Sequence, residues 1–308
     1  MTRMLTRRMI GRAGAVCFTL GLTLFPLLAP EPGGSAIASQ VEMLPADAKR
    51  IVSVGGSITE IVYALGAQDR LVARDSTSTF PADAMALPDI GYMRALSPEG
   101  VLSLQPDAIL LLEGSGPPEA VDVLRKASVP LVFVRESYDR DGILHKIRSV
   151  GEALGLTEAT RRFEAEVAAD LDKAKAATAG VAERKRVLFV LSLQGGKILA
   201  SGEGTAASGI IALAGAENAV EGFQGYRQLT DEAVIEAQPE VVLVMAREGD
   251  LAISRDELLA HPAIAATPAG SSGDVIAMDG LYLLGFGPRT AQAARDLAAD
   301  LYGEAVGN

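Results

Sequence analysis

The sequence predicts an α/β protein of two similar lobes joined by one long helix, and three observations carry that expectation. A twelve-residue pattern occurs twice, LSPEGVLSLQPD from Leu96 and LTDEAVIEAQPE from Leu229, with five positions identical and four more closely exchanged. Each copy is followed by an apolar run, AILLL or VVLVM, and preceded by a basic residue opening another, RIVSVG from Arg50 or RVLFVL from Arg186. Two copies at so long a spacing mean two lobes rather than a solenoid. Apolar runs of strand length alternate with helical stretches throughout, which implies mainly parallel central sheets. Between the copies, the stretch from Thr157 to about Gly180 has no Gly or Pro until its end and reads as one stiff helical spacer.

Taken in order, residues 1–38 read as an export signal. Arg3, Arg7, Arg8 and Arg12 form a basic start, an apolar stretch runs from Ala13 to Ala29, and Ala36-Ile37-Ala38 makes an A-x-A cleavage site. Pro26 and Pro30 interrupt the apolar run, which is too short for a spanning helix. The first lobe is expected over residues 39–156. RIVSVG is a buried strand; SITEIVYALGA is a helix with Ser57 as a candidate cap; DRLVARD is a second strand. A long Pro-, Ser- and Thr-rich loop from Ser76 to Ala95 follows, a length that usually marks function. In the first repeat copy Ser97 is placed to cap a helix, Pro98 fits its first turn, and Glu99 sits at its positive end. DAILLLE, VPLVFV and two further helices complete this lobe, the last with Ile143, Ile147, Val150 and Leu154 on one face. The connector is expected over residues 157–182, with Phe163, Val167 and Leu171 recurring every four residues, and the second lobe over residues 183–308.

Composition narrows the function. The net charge is −11, and cleavage of the basic start makes the chain more acidic still, a poor match to nucleic acid or anionic membrane surfaces. The one cysteine, Cys17, lies inside the signal, so the mature chain has no disulfide. There is no H-E-x-x-H, C-x-x-C or Walker loop. GGSITE lacks the spacing of a nucleophile elbow, and GGKILASGEG and GFGPRT read as turns rather than dinucleotide loops. His145 and His261 read as solvated side chains. What remains is a set of aromatic and Arg residues in loops: Phe80, Tyr92 and Arg94 in the first lobe, Tyr226, Arg227 and Tyr282 in the second. Tyr92 and Tyr226 lie four and three residues before their repeat copies, in a chain without Trp and with 5% aromatic residues. Aromatic faces with Arg suit a flat conjugated ligand bearing carboxylates, held in a cleft between lobes.

At these residues the chain resembles the substrate-binding proteins of bacterial ABC importers of the class III type, with two Rossmann-like lobes on a rigid connecting helix. More narrowly, RIVSVGGSITEIVYALGA, DSTSTFP, GYMRALSPEGVLSLQPD, GYRQLTDEAVIEAQPE and LLGFGPRTAQAARDLA resemble the periplasmic haem-binding proteins of haem importers. The resemblance implies a monomeric periplasmic carrier, not an enzyme, that takes haem as transported ligand and hands it to an ABC permease dimer with its ATPase, downstream of an outer-membrane haem receptor system. Relatives of the same architecture bind corrinoids or ferric siderophores, and these stay open as ligands. The resemblance also implies that Glu99 and Glu232 dock on the two permease halves. One departure is visible: the family's loop usually ends in Tyr-Pro, its Tyr supplying the iron ligand, whereas this chain has Phe80. Tyr92, or after it Tyr226, is then the candidate iron ligand, or haem is held by stacking and Arg alone. An exported α/β hydrolase is the reading from another class, and no assembled nucleophile, base and acid supports it. A helical connector also implies that the lobes move little on binding.

Overall fold

The structure, a computed structural model, describes residues 43–246, 253–303 and 306. The expected export signal and its cleavage site lie outside the described residues. In the first lobe the order is β1 (Ile51–Val54), α1 (Gly56–Ala64), β2 (Leu71–Arg74), α2 (Pro98–Ser103), β3 (Ala108–Leu112), α3 (Pro118–Lys126), β4 (Leu131–Val134) and α4 (Arg140–Ala153). The strands pair β2-β1-β3-β4, all parallel. The inner strands β1 and β3 are buried at every position, as continuous apolar runs require when helices cover both faces. Next comes the connector α5 (Thr157–Ala177).

The second lobe contains β5 (Arg186–Gln194), β6 (Lys197–Ser201), α6 (Ala206–Leu213), β7 (Glu217–Asn218), β8 (Tyr226–Gln228), α7 (Asp231–Ala237) and β9 (Val241–Ala246). It continues with α8 (Arg255–Ala260), α9 (Pro262–Ala265), α10 (Pro268–Ser272), β10 (Val275–Asp279), α11 (Gly280–Leu284) and α12 (Thr290–Tyr302). Its sheet runs β10-β9-β5-β6-β8, with β7 beside β5. Here β10, β9 and β5 are parallel, as expected, but β6 and β8 are antiparallel. The cause is Gly195-Gly196, both at positive φ (58° and 70°), which fold β5 straight back onto β6. A two-residue turn cannot make the crossover that a parallel neighbour needs.

The repeat is one structural device used twice. A hydroxyl caps each helix: Gly100 N donates to Ser97 Oγ at 3.1 Å, and Ala233 N donates to Thr230 Oγ1 at 3.3 Å. The shared glutamines, Gln105 and Gln238, both take positive φ (47° and 44°) and turn the chain out of the helix. The distant basic residue then satisfies the helix's free carbonyls. Arg50 donates to the oxygens of Leu104 and Gln105, and Arg186 to those of Ala237 and Ala219. The closing acid returns the contact, Asp107 accepting from Arg50 N and Glu240 from Arg186 N. Sequence distance becomes contact because β1 lies beside β3, and β5 beside β9. Arg186→Ala is expected to lower stability by about 1.5–3 kcal/mol, the range for hydrogen bonds from a charged group. Arg50→Ala should cost less, since Arg50 is exposed. Urea melts of the two variants check the ranking.

Two local expectations are corrected. Ser57 does not cap α1: Gly55 occupies the cap position, and Ser57 is inside the helix with its hydroxyl facing Lys146. His261 is not solvated. It is 8% exposed and caps α9, its Nδ1 accepting from Ala263 N at 3.3 Å while Nε2 lies 3.0 Å from the Gly196 oxygen. One tautomer, with the proton on Nε2, makes both bonds. His145 is half-buried on α4, its Nε2 3.4 Å from Ser149 Oγ.

Helix α5 packs on α4 of the first lobe and α12 of the second. Arg140 pairs with Asp172 at 2.8 Å, and Arg295 donates to the Asp170 oxygen at 3.2 Å, one contact to each lobe. The apolar interior does not stop at the connector. One cluster includes Ile109 and Ile147 of the first lobe, Leu171 of α5, and Phe189, Phe286 and Leu297 of the second. A separate cluster, with Leu188, Val190 and Val242, fills the other face of the second sheet. Strand alternation explains the division of β5 between the two clusters. Among the described residues no helix is long and apolar enough to cross a membrane.

Candidate ligand-binding cleft

A cavity of about 400 Å³ opens between the lobes. Its walls come from the C-terminal ends of the parallel strands, where α/β sheets usually bind ligands. Glu113 follows β3, Glu136 follows β4, and Asp279 closes β10; all three line the cavity. The long loop after β2 is held from below by Asp75, which is fully buried. Gly55 N, Thr77 N, Thr77 Oγ1 and Ser78 Oγ all donate to its carboxylate, at 2.6–2.9 Å. That anchorage sets Thr77 and Thr79 on the cavity wall.

Three of the residues singled out in the sequence meet here. Tyr92, Arg94 and Tyr226 line the cavity, the first two from one lobe and the third from the other. Arg94 Nη1 donates to the Tyr92 hydroxyl at 3.1 Å. Tyr226 lies 6.4 Å, ring to ring, from Phe189, and burial, with Tyr138 nearby, pushes its phenol up to about 12. Tyr138 also lines the cavity, and burial raises its phenol too.

The other candidates stand elsewhere. Arg227 lies over the Phe223 ring at 4.7 Å, in a separate depression shared with Arg186 and Leu229. The sequence places it in a loop beside Tyr226; the structure places both on strand β8, where neighbours point to opposite faces. Phe80 is 41% exposed and outside the cavity lining, with the Arg289 guanidinium 3.6 Å above its ring. Tyr282 is also outside the lining; its hydroxyl donates to Asp296 at 2.7 Å, and the same Arg289 lies 5.1 Å from its ring. Burial, reinforced by Asp296, holds the Tyr282 phenol above its ordinary range. Glu99 and Glu232 are exposed on the first turns of α2 and α7. The carboxyl of Glu232 lies below its usual range because its own backbone N–H, and then Thr230, bond to it.

Sequence reasoning missed the polar contacts that join the lobes beneath the cavity. Lys146 of α4 has no exposed side-chain surface. Its Nζ donates to Glu136 at 2.6 Å, to Ser57 Oγ at 3.1 Å and, across to the second lobe, to the Phe286 oxygen at 3.0 Å. Burial pulls the lysine down and the Glu136 carboxyl up, each opposed by the other's charge. Nearby, Arg289 Nε of the second lobe donates to Glu60 of α1 at 3.1 Å. Burial raises the Glu60 carboxyl, and Arg289 opposes the rise. A signal for Lys146 was present: it lies three residues after Ile143 and four before Val150, on the apolar face of its helix. The lobes touch closely here, for a Cβ on Gly209 would meet the Tyr138 backbone and the Phe286 ring.

The fold has solved counterparts. The periplasmic heme-binding protein BhuT, in complex with two hemes, is 39% identical, with a TM-score of 0.78 and a match covering 84% of this chain and 99% of that one. The periplasmic heme-binding protein RhuT from Roseiflexus sp. RS-1 is 40% identical, with the same TM-score and coverage. The periplasmic heme-binding protein HutB of Vibrio cholerae is 33% identical, with a TM-score of 0.73 over 82% of this chain and 98% of that one. Among relatives in sequence, the uncharacterised ABC transporter substrate-binding lipoprotein YvrC of Bacillus subtilis is 29% identical over 63% of each chain. A vitamin B12-binding protein of Yersinia pestis is 26% identical over 75% of this chain and 80% of that one. The periplasmic binding protein family matches residues 51–281, from β1 of one lobe to the cavity-lining α11 of the other, and the chain belongs to that family.

Proposed function

We propose that the protein captures haem in the interlobe cleft and delivers it to an inner-membrane ABC permease with its ATPase. The observation that supports this is the convergence of Tyr92, Arg94 and Tyr226, from matching places in the two repeats, on one cavity of about 400 Å³. Two aromatic faces and a guanidinium suit a flat macrocycle with carboxylates. The structures described as heme-binding are 24–40% identical to this chain, BhuT and RhuT at 39% and 40%, against 26% for the vitamin B12-binding relative. The higher identity to BhuT and RhuT weighs for haem over a corrinoid. Phe80 cannot coordinate iron, and its ring is engaged with Arg289. Tyr92 is the proposed iron ligand, since it lines the cavity and Phe80 does not. In this reading the protein is a carrier exported to the periplasm and catalyses nothing.

The test is an absorbance titration of the mature protein with hemin, run beside cobalamin and a ferric siderophore. A shifted Soret band with saturable stoichiometry is expected; an unchanged band would sink the haem reading. Docking is tested separately. Exposed charges contribute little singly, about 0–1 kcal/mol, but a matched pair can set register and encounter rate. Glu99→Ala with Glu232→Ala is expected to leave hemin affinity unchanged and to reduce uptake in a reconstituted importer. Weakened hemin binding in that variant would assign the two residues to the ligand site instead.

A further inference from the structure

We propose that the cleft sorts porphyrins by how many carboxylates they carry, accepting one pair through Arg94 and disfavouring any further ones through Glu113 and Asp279. The inference rests on the haem reading above. Among the described residues that line the cavity, Arg94 is the one Arg or Lys, and it pairs with no carboxylate there. Its contact to Tyr92 occupies one of five N–H groups, leaving the rest for a ligand. Each wall, in contrast, carries an exposed carboxylate without an ion-pair partner among the described residues: Glu113 in the first lobe and Asp279 in the second. Both are fixed by one oxygen. Glu136 N donates to Glu113 Oε2 at 2.9 Å, and Tyr282 N donates to Asp279 Oδ1 at 2.8 Å. The third carboxylate, Glu136, is balanced by Lys146.

Hemin has both propionates on one edge and vinyl and methyl groups opposite. That edge can meet Arg94, and Leu112, Leu191 and Leu284 of the same lining supply apolar surface for the rest of the ring. Ferric coproporphyrin III has the same ring and metal, with two further propionates in place of the vinyls. With one pair on Arg94, the added pair finds no further Arg or Lys among the described residues of the lining and enters a cavity in which each lobe presents an unpaired carboxylate. Like charges facing each other in a partly dry site discriminate by repulsion rather than by added attraction.

The experiment is a pair of titrations, hemin and ferric coproporphyrin III, on the wild type and on Glu113→Gln/Asp279→Asn. Both substitutions keep a side-chain oxygen for the backbone bonds described above. The wild type should prefer hemin by at least about tenfold, and the variant should reduce the ratio to about threefold or less. A second readout needs no variant: raising salt from about 0.05 to 0.5 M should narrow the wild-type ratio, because exposed charges are screened. Equal binding of the two porphyrins by the wild type, a ratio untouched by the substitutions, or a ratio independent of salt would each overturn the sorting while leaving the haem reading in place. Failure of the wild type to bind hemin at all would remove both.

Discussion

Lys146→Met is expected to lower the stability of the protein by about 3–5 kcal/mol, the cost of removing one partner from a buried ion pair. That is a large part of what holds a typical fold together. The lysine has no exposed side-chain surface, and its loss leaves the Ser57 hydroxyl and the Phe286 oxygen without its N–H donors and Glu136 with the Ser137 backbone N–H but no counter-charge at its side. The effect should depend on pH. Burial already raises the Glu136 carboxyl above its ordinary 4.5, and removing the positive charge raises it further. A raised folded value means stability that is complete below the ordinary value and is lost as pH rises through the folded one. The variant should therefore be least impaired in acid and most impaired at neutral pH. The depressed lysine adds the opposite slope in the wild type: its contribution is complete above the ordinary 10.5 and falls away as pH drops through the folded value. Lys146→Met/Glu136→Leu removes both partners and should recover most of the loss, since an apolar replacement of a buried pair is often neutral or better. Urea denaturation of the three proteins across pH measures all of this. A single variant as stable as wild type at neutral pH would show that the lysine is dispensable.

Arg94→Ala should weaken hemin binding by about tenfold, the lower end of what a charge-assisted hydrogen bond supplies, because the side chain is exposed and partly screened. Tyr92→Ala with Tyr226→Ala should add at least a comparable loss, about 0.5–1.5 kcal/mol for each aromatic face and more for the iron ligand proposed at Tyr92. Hemin dimethyl ester separates the causes. It lacks the charge that Arg94 would meet, so Arg94→Ala should leave its binding nearly unchanged, whereas the tyrosine variant should weaken both ligands alike. An equal loss for hemin and its ester in Arg94→Ala would mean that the guanidinium supports Tyr92 and does not hold a propionate.

Much of this was legible in the chain, for identifiable reasons. The repeat is local in sequence, and caps, turn residues and apolar faces are local rules. Ser97 and Thr230 cap their helices accordingly, and Ile143, Ile147, Val150 and Leu154 are buried in register. The convergence of Tyr92 and Tyr226 was legible because symmetry related their positions. Arg227 was misplaced because nothing local marked three exposed residues as a strand, and strand alternation alone decides which neighbour faces the cleft. The cross-lobe pairs were illegible for another reason. Glu60 and Arg289 are far apart in the chain, and each alone looks like an ordinary surface charge. Lys146 stands on the apolar face, where a charge needs a partner, but nothing local says which groups supply it.

The apolar cluster that runs from Ile109 through Leu171 to Phe286 bears on how a transporter could sense its cargo. Opening the lobes like a hinge would pull that interior apart, so the distance between Glu99 and Glu232 is expected to change little on binding, which small-angle scattering with and without ligand checks. On the docking proposed above, empty and loaded protein would then offer a permease the same pair of charges at the same spacing. Such a dock would carry no message about occupancy, and only the cleft mouth, with or without ligand in it, would tell the two states apart. Unloaded carriers would queue for the same berth as loaded ones, so haem supply relative to the carrier pool, rather than carrier abundance alone, would set the rate of uptake.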